Sequence, residues 1–162
     1  MAKKHKKTNA MRIVEEAGIA YEHHEYDYDE DHLSGRDAAK HSDLPAEQMF
    51  KTIVCQAKPR DYYVFVLPIL EELNLKQRAR IAGVKKLELL PLKDLLKVTG
   101  YVRGGCSPVG MKQALPTYID QASLAYAMIY VSAGKRGFQL GLAPRDLADL
   151  VQAEFHDLSR SE

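Results

Sequence analysis

The spacing of apolar residues changes along the chain. Segments with helical spacing predict short helices, and segments with alternating or continuous apolar residues predict short strands. Apolar residues at helical spacing, followed by a glycine or preceded by a capping residue, predict helices over 9–18, 35–42, 74–82, 91–98, 122–126 and 144–152. Short β-rich runs predict strands over 19–28, 50–57, 61–69, 86–90, 116–120, 128–133 and 138–142. Asn9 and Ser34 are the expected N-caps of the first two helices. No internal repeat, linker or low-complexity block interrupts this order.

The order of these elements predicts the fold class. The runs 50–57 and 61–69 are separated only by Lys58-Pro59-Arg60, which predicts a β-hairpin. Its second strand is apolar at most positions, as is typical of a strand buried on both faces. Strands and helices are interspersed without regular β-α-β alternation. We therefore expect an α+β fold, with a mixed, curled, barrel-like β-sheet, closed or strongly curved, flanked by helices.

Length and composition set the class of protein. The chain has 162 residues, of which 46% are apolar and 28% charged, as in one ordinary globular domain. We expect a flexible basic tail at 1–8 and a single domain at 9–162. No apolar run approaches the length of a membrane span, and the basic start lacks the apolar stretch of a secretory signal. Two cysteines form no disulfide framework and suit the reducing cytoplasm, which is the expected location.

Net charge is only +1, but the charges are unevenly distributed. Residues 22–31 carry six acids and no lysine or arginine. Residues 74–112 carry nine bases against two acids, a local excess of seven positive charges. Such a region can attract a polyanion, although charge alone favours a solvated helix face.

The histidines and cysteines indicate neither a metal nor a cofactor. His23 and His24 are adjacent, so they face opposite sides of a strand and cannot share an ion. No nucleotide-binding or zinc-protease motif is present, and we expect no metal and no cofactor. Cys55 lies in an apolar strand, which favours a packing role. Cys106 lies in a glycine-rich turn without a nearby histidine, so a thiol nucleophile there is the minority hypothesis.

Lysine and glycine positions indicate a binding cleft. Lys51 begins a strand whose following residues are mostly apolar, so its ammonium either reaches solvent or projects into a cleft. In a cleft it would place positive charge beside a substrate carbonyl. The segments 104–110 and 132–137 are rich in glycine, whose backbone can approach a ligand closely and offer N–H groups to it. Both segments could instead be structural turns.

An ordered set of motifs resembles the YbaK family of aminoacyl-tRNA deacylases, which is related to the editing domain of prolyl-tRNA synthetase. The matching segments are F-K-T-I-V at 50–54, L-N-L-K at 73–76, A-G-V-K-K-L-E at 82–88, T-G-Y-V-R-G-G-C-S-P-V-G at 99–110, I-Y-V-S-A-G-K-R-G at 129–137, L-A-P-R-D-L at 142–147 and A-E-F-H-D-L at 153–158. Only the lysine-rich first residues fall outside the resemblance. It implies a mixed, barrel-like sheet flanked by helices, in agreement with the pattern above.

The resemblance also implies an activity and a set of site residues. The activity is hydrolysis of a wrongly attached amino acid from tRNA, here cysteine from Cys-tRNA(Pro), with the substrate thiol as nucleophile. The catalytic lysine falls on Lys51. The substrate-binding residues fall on Tyr26, Gly104, Gly105, Ser107, Pro108, Gly110 and Ser132. Cys106 and Gln139 depart from the family, where an aliphatic residue and, in some relatives, an acid are usual.

Several alternatives remain open at this point. The chain could deacylate Ala-tRNA(Pro) with water as nucleophile, act as a non-catalytic RNA-binding module, or be a cysteine hydrolase that uses Cys106. The expected partners are aminoacyl-tRNA(Pro) and, by resemblance, prolyl-tRNA synthetase. We expect a monomer with no membrane association.

Overall fold

A computed structural model describes residues 7–28, 31, 33–72 and 74–158 of the chain. The helices within these ranges are α1 (Asn9–Glu16), α2 (Gly35–His41), α3 (Leu75–Ala82), α4 (Leu92–Thr99) and α5 (Pro144–Val151). The strands are β1 (Glu22–Glu25), β2 (Phe50–Lys58), β3 (Asp61–Pro68), β4 (Glu88–Leu89), β5 (Thr117–Asp120), β6 (Ile129–Ser132), β7 (Phe138–Leu142) and β8 (Glu154–His156). Short 3-10 helices span Ala46–Gln48 and Gln121–Ala125.

The strands form two sheets. One has the order β4-β2-β3-β5-β8, and the other has the order β1-β7-β6. Within the larger sheet β2 and β3 form the predicted antiparallel hairpin, whereas β5 is parallel to both β3 and β8. The mixed α+β class is therefore confirmed. Closure into a barrel is not, because the described strands of the two sheets meet only through an isolated bridge between Met49 and Tyr130.

Local sequence signals explain most of the helix ends. Ser34 caps α2 with a capping box, in which its hydroxyl accepts from the Asp37 N–H and Asp37 accepts from the Ser34 N–H. The expected Asn9 cap is wrong by one residue. Thr8 is the cap of α1, since its hydroxyl accepts from the Met11 N–H at 3.2 Å. Threonine and asparagine both satisfy an N-cap, so the pattern alone did not separate neighbouring candidates.

Strand β2 crosses from one part of the core to another. Phe50 belongs to a large cluster that includes Val131 and Leu140 of the smaller sheet. Val54, four residues later, belongs to a separate cluster with Leu90 and Val98. The middle of β2 therefore lies between two packed cores, and this is where an opening forms.

The pattern did not predict strand β8 or the burial of Arg78. The three-residue strand β8 pairs in parallel with β5, with Phe155 opposite Ile119. Arg78 of α3 was counted in the basic region, but its side chain is fully buried.

None of the helices that the structure describes is long and apolar enough to cross a membrane.

Candidate active site

An interruption along one edge of β2 creates the cleft. β2 meets β6 at the bridge between Met49 and Tyr130, and it meets β4 further along, where the Leu90 N–H donates to the Val54 carbonyl at 3.0 Å. Between these two contacts, no described strand pairs with β2 on the edge that faces away from β3. The space left there has a volume of about 520 Å³.

The cleft walls come from both sheets, two helices and both glycine-rich loops. The described lining residues are mostly apolar, with a few polar and cationic side chains among them. They are Tyr26, Leu33, Ser34, Ala38, Met49, Phe50, Lys51, Thr52, Ile53, Val54, Ile69, Leu89, Leu90, Leu92, Leu95, Arg103, Gly104, Cys106, Ser132 and Gln139. Four of the residues predicted from sequence, namely Lys51, Tyr26, Gly104 and Ser132, thus lie around one opening.

Lys51 lies on β2 opposite Leu67 of β3, lines the cleft and is half-buried. Its ammonium donates to the main-chain carbonyl of Glu71 at 2.6 Å. This hydrogen bond holds the ammonium against the main chain just after β3 rather than in bulk solvent. Lys51 is among the residues that line the cleft, and its part in catalysis stays a prediction.

Tyr26 and Gln139 form a polar pair on the cleft wall. The Tyr26 side chain is hydrogen-bonded to the Gln139 side chain, and Gln139 is only 6% exposed. Burial raises the pKa of the Tyr26 phenol above its ordinary value, and the hydrogen bond to Gln139 partly offsets this. The phenol therefore stays protonated near neutral pH and can donate a hydrogen bond.

The two glycine-rich loops pack directly against each other. A Cβ at Gly105 would lie 3.0 Å from the Arg136 main-chain nitrogen and 3.2 Å from the Lys135 carbonyl carbon, so any larger residue would have to move the two main chains apart by a few tenths of an ångström. The Arg136 Nε donates to the Arg103 carbonyl at 2.8 Å and ties the loops together. Gly104, with φ of +86°, then turns the chain toward the cleft.

The remaining predicted residues do not line the cleft. Gly105, Ser107 and Pro108 are buried within the turn, where the Ser107 hydroxyl accepts from the Val109 N–H at 3.1 Å. Gly110 has a φ of +82° and lies against Tyr101. These four residues therefore support the conformation of the loop on the side that faces away from the cleft.

Cys106 does line the cleft, but its thiol is not activated. Burial raises its pKa to about 12, and a hydrogen bond with Thr99 only partly offsets this. A reactive cysteine needs a lowered pKa, because the thiolate is the nucleophile. The environment of Cys106 is therefore that of a small packing residue, as is that of the fully buried Cys55, whose pKa is also raised to about 12 by burial.

The charged side chains among the described lining residues of the cleft are both positive. Lys51 and Arg103 line it, whereas none of the described lining residues is Asp, Glu or His. Nor does the described part of the chain contain a cluster of three or more His, Cys, Asp or Glu that could hold a metal ion. The site can thus attract an anion and polarise a carbonyl, and none of its own described lining residues is a carboxylate or an imidazole. Asp37 and His41 line a smaller pocket that shares Ser34 and Gly104 with the cleft.

Sequence reasoning missed several residues of the site. Ser34 and Ala38 reach the cleft from α2, although the capping pattern predicted only that the helix exists. Thr52 also lines the cleft, but a threonine in a strand is too common to be a signal. Arg103 was counted in the basic region without being assigned to the site.

Comparison with known proteins identifies the family. Residues 30–150 match the aminoacyl-tRNA editing domain. The chain belongs to the aminoacyl-tRNA editing domain family. A relative from Enterococcus faecalis is 44% identical over 164 residues, with all of both chains covered. That protein, EbsC, carries the provisional name Cys-tRNA(Pro)/Cys-tRNA(Cys) deacylase.

Solved structures of other proteins share the fold of this editing domain. One, provisionally described as a trans-editing enzyme for prolyl-tRNA synthetase, has a TM-score of 0.76 and 22% identity, covering 96% of this chain and 99% of that chain. A hypothetical protein has a TM-score of 0.80 and 21% identity, covering 92% and 97%. Likeness at this level of identity supports the fold predicted from the motifs.

Proposed function

We propose that this editing-domain protein is a trans-acting deacylase that removes cysteine from mischarged Cys-tRNA(Pro). The observation that carries the proposal is a cleft with two cations, a glycine turn and hydroxyl groups, but no described carboxylate or imidazole. Such a cleft suits an ester at the anionic end of a tRNA. The full-length relative EbsC, whose provisional name is that of a Cys-tRNA deacylase, supports the same substrate class.

The lack of a described general base favours a nucleophile supplied by the substrate. The cysteinyl sulfur attacks its own ester carbonyl carbon, the bond to the ribose oxygen breaks, and the thiol proton passes to that oxygen. This step releases tRNA and leaves a cysteine thiolactone. One water then adds to the thiolactone carbonyl and opens it to free cysteine. The protein's contribution is positioning and charge stabilisation.

Each predicted site residue has a proposed part in this reaction. Lys51 stabilises negative charge that develops on the carbonyl or holds the ribose-phosphate end. Gly104 brings the loop backbone to the substrate, while Tyr26 and Ser132 bind it from the cleft wall. Gly105, Ser107, Pro108 and Gly110 act through the shape of the loop, since they lie behind its cleft-facing surface. These roles rest on position in the cleft and on the family resemblance.

Deacylation of tRNA(Pro) charged with cysteine or with alanine tests the proposal. We expect rapid release of cysteine and slow release of alanine, because alanine has no thiol. Preference for Ala-tRNA(Pro) would favour the water mechanism. Binding of both tRNAs without turnover would favour a non-catalytic module and contradict the proposal.

The proposal also includes a protein partner, an oligomeric state and a cellular location. We infer that prolyl-tRNA synthetase delivers the substrate, since the described surface holds only a local basic region for contact with tRNA. Addition of prolyl-tRNA synthetase should therefore lower the KM for Cys-tRNA(Pro). A monomer in the cytoplasm remains the expectation for this enzyme.

A further inference from the structure

The edge of β2 that faces away from β3 directs main-chain groups toward the cleft at one residue, Thr52. In an antiparallel pair, alternate residues of a strand direct both main-chain polar groups toward the partner strand. The Ile69 N–H donates to the Met49 carbonyl at 3.0 Å, so odd-numbered residues of this part of β2 face β3. Phe50, Thr52 and Val54 therefore direct their N–H and C=O groups away from β3, toward the interrupted edge.

Of these three residues, Thr52 alone lies in the gap. Val54 is paired through its carbonyl with the Leu90 N–H, and the bridge between Met49 and Tyr130 occupies the edge beside Phe50. Among the described strands, none pairs with β2 at Thr52 on this edge. Its hydroxyl oxygen is also buried without a hydrogen-bond partner.

The buried Thr52 hydroxyl and the main-chain groups beside it form a polar spot that a ligand in the cleft can satisfy. A buried polar group without a partner costs about 1–3 kcal/mol, and native structures pair nearly all of their buried main-chain groups. The position lies on the cleft wall next to Lys51. The occupant must therefore offer an acceptor for the Thr52 N–H and a donor for its C=O.

We propose that Thr52 binds the α-aminoacyl group of the substrate as though it were one residue of an added β-strand. The Thr52 N–H donates to the ester carbonyl oxygen, and the Thr52 C=O accepts from the substrate α-ammonium. An α-aminoacyl ester carries these two groups on the same α-carbon, as a strand residue does. The inference rests on the proposed deacylase function and assigns the part of the substrate that this edge recognises.

The geometry determines which esters fit. One residue can exchange both hydrogen bonds with one partner residue only in the antiparallel arrangement, and side chains of directly opposed residues then lie on the same face. The substrate side chain would thus lie on the face of Thr52, which is also the face of Phe50 and Val54. The edge favours a free α-ammonium over an N-acylated amine, because a hydrogen bond from a charged donor is stronger than one from an amide N–H.

Nuclear magnetic resonance of the ¹⁵N-labelled protein tests this contact directly. The probes are 3′-cysteinylamido-3′-deoxyadenosine, which cannot be hydrolysed as an ester, its N-acetyl derivative, and adenosine. We expect the first probe to shift the Thr52 amide resonance saturably, the N-acetyl derivative to bind about tenfold more weakly, and adenosine to leave that resonance in place. A Thr52 resonance that no probe moves, or that adenosine alone moves fully, overturns the proposal.

A pair of variants tests the same contact during turnover. Thr52→Pro removes the N–H and the hydroxyl, whereas Thr52→Val removes only the hydroxyl. Because this N–H does not pair with β3, proline is compatible with the ladder. We expect the KM for Cys-tRNA(Pro) to be about tenfold higher in the proline variant than in the valine variant. Equal KM values in two folded variants contradict the proposal.

The proposed deacylase function and the proposed Thr52 contact can be contradicted by separate experiments. A wild-type protein that hydrolyses no aminoacyl-tRNA contradicts the proposed function. The resonance experiment needs no turnover, so it decides the Thr52 contact in that case as well. If the proline variant does not fold, the same measurement on the wild-type protein decides it.

Discussion

At the scale of single residues, burial decides which candidate groups can react. Cys106 lies on the cleft wall beside a glycine turn, a position that sequence alone could present as a nucleophile. Its thiol pKa is raised from 9.0 to about 12 by burial, so almost no thiolate is present near neutral pH. The reactive thiol of the proposed reaction is the substrate's own.

Replacement of Cys106 tests this assignment. We expect Cys106→Ala to retain deacylation of Cys-tRNA(Pro) within about threefold, since the side chain supplies packing and not a nucleophile. Alkylation of Cys106 by iodoacetamide at pH 8 should be more than about tenfold slower than that of free cysteine, because the raised pKa lowers the thiolate fraction. Mass spectrometry gives the labelling rate. Abolished turnover in a folded Cys106→Ala variant would restore the thiol nucleophile.

The same scale shows what sequence can and cannot indicate. Lys51 was identifiable because it falls in the F-K-T-I-V motif that resembles the family, whereas its position at the start of an apolar strand did not by itself assign it to a cleft. Thr52 and Arg78 were not identifiable, since a strand threonine and a helix arginine are ordinary in themselves. Their roles depend on neighbours distant along the chain: Thr52 on the gap between β6 and β4, and Arg78 on burial within the packed structure.

At the scale of elements, the packing of two glycine loops shapes the cleft wall. The loop that contains Gly104 rests on the 135–136 backbone through Gly105, and the Arg136 side chain holds the Arg103 carbonyl. Either loop alone would be an ordinary turn. Their contact gives the first loop a rigid support, which a site that works by positioning requires.

A methyl group at this contact should separate the loops. We expect Gly105→Ala to lower kcat/KM and to reduce the free energy of unfolding by about 1–3 kcal/mol, as overpacking does. Gly83→Ala is the matched control, because Gly83 has a φ of +75° but nothing within 4 Å of an added Cβ. The control should lose about 1–2 kcal/mol through backbone strain while keeping its activity. Urea denaturation and kinetics measure both effects, and equal kcat/KM for the two variants would contradict the role of the loop contact.

Periodicity and caps predicted the order of helices and strands well, because both signals are local. The hairpin of β2 and β3 and the helices that end at Gly83 and Gly100 follow directly from them. Strand β8 was missed, since the three residues E-F-H are too few to show alternation. The division into two sheets was also beyond local signals, because it depends on which distant strands pair.

At the scale of the whole molecule, the basic surface is smaller than the sequence count suggests, but part of it lies on a helix that lines the cleft. Arg78 is buried and does not contribute, whereas Lys93 and Lys97 are exposed on α4. The same helix supplies Leu92 and Leu95 to the cleft wall. A tRNA whose acceptor end enters the cleft would bring its phosphates close to these lysines.

Charge reversal on α4 tests this placement. We expect Lys93→Glu with Lys97→Glu to raise the KM for Cys-tRNA(Pro) about tenfold at low salt, with a smaller effect at high salt and little change in kcat. Lys58→Glu with Arg145→Glu is the control, because it changes net charge equally at exposed positions that do not line the cleft. Equal effects of the two double variants would mean that only overall charge matters.

The most direct test of the account compares two lysines of the same strand. Initial rates of cysteine release from Cys-tRNA(Pro) would be measured for the wild-type protein, Lys51→Ala and Lys58→Ala. Lys51 lines the cleft, whereas Lys58 is exposed at the far end of β2. We predict that Lys51→Ala loses at least about a hundredfold in kcat/KM while it remains folded, and that Lys58→Ala matches the wild type. A folded Lys51→Ala variant with full activity would contradict the proposed active site.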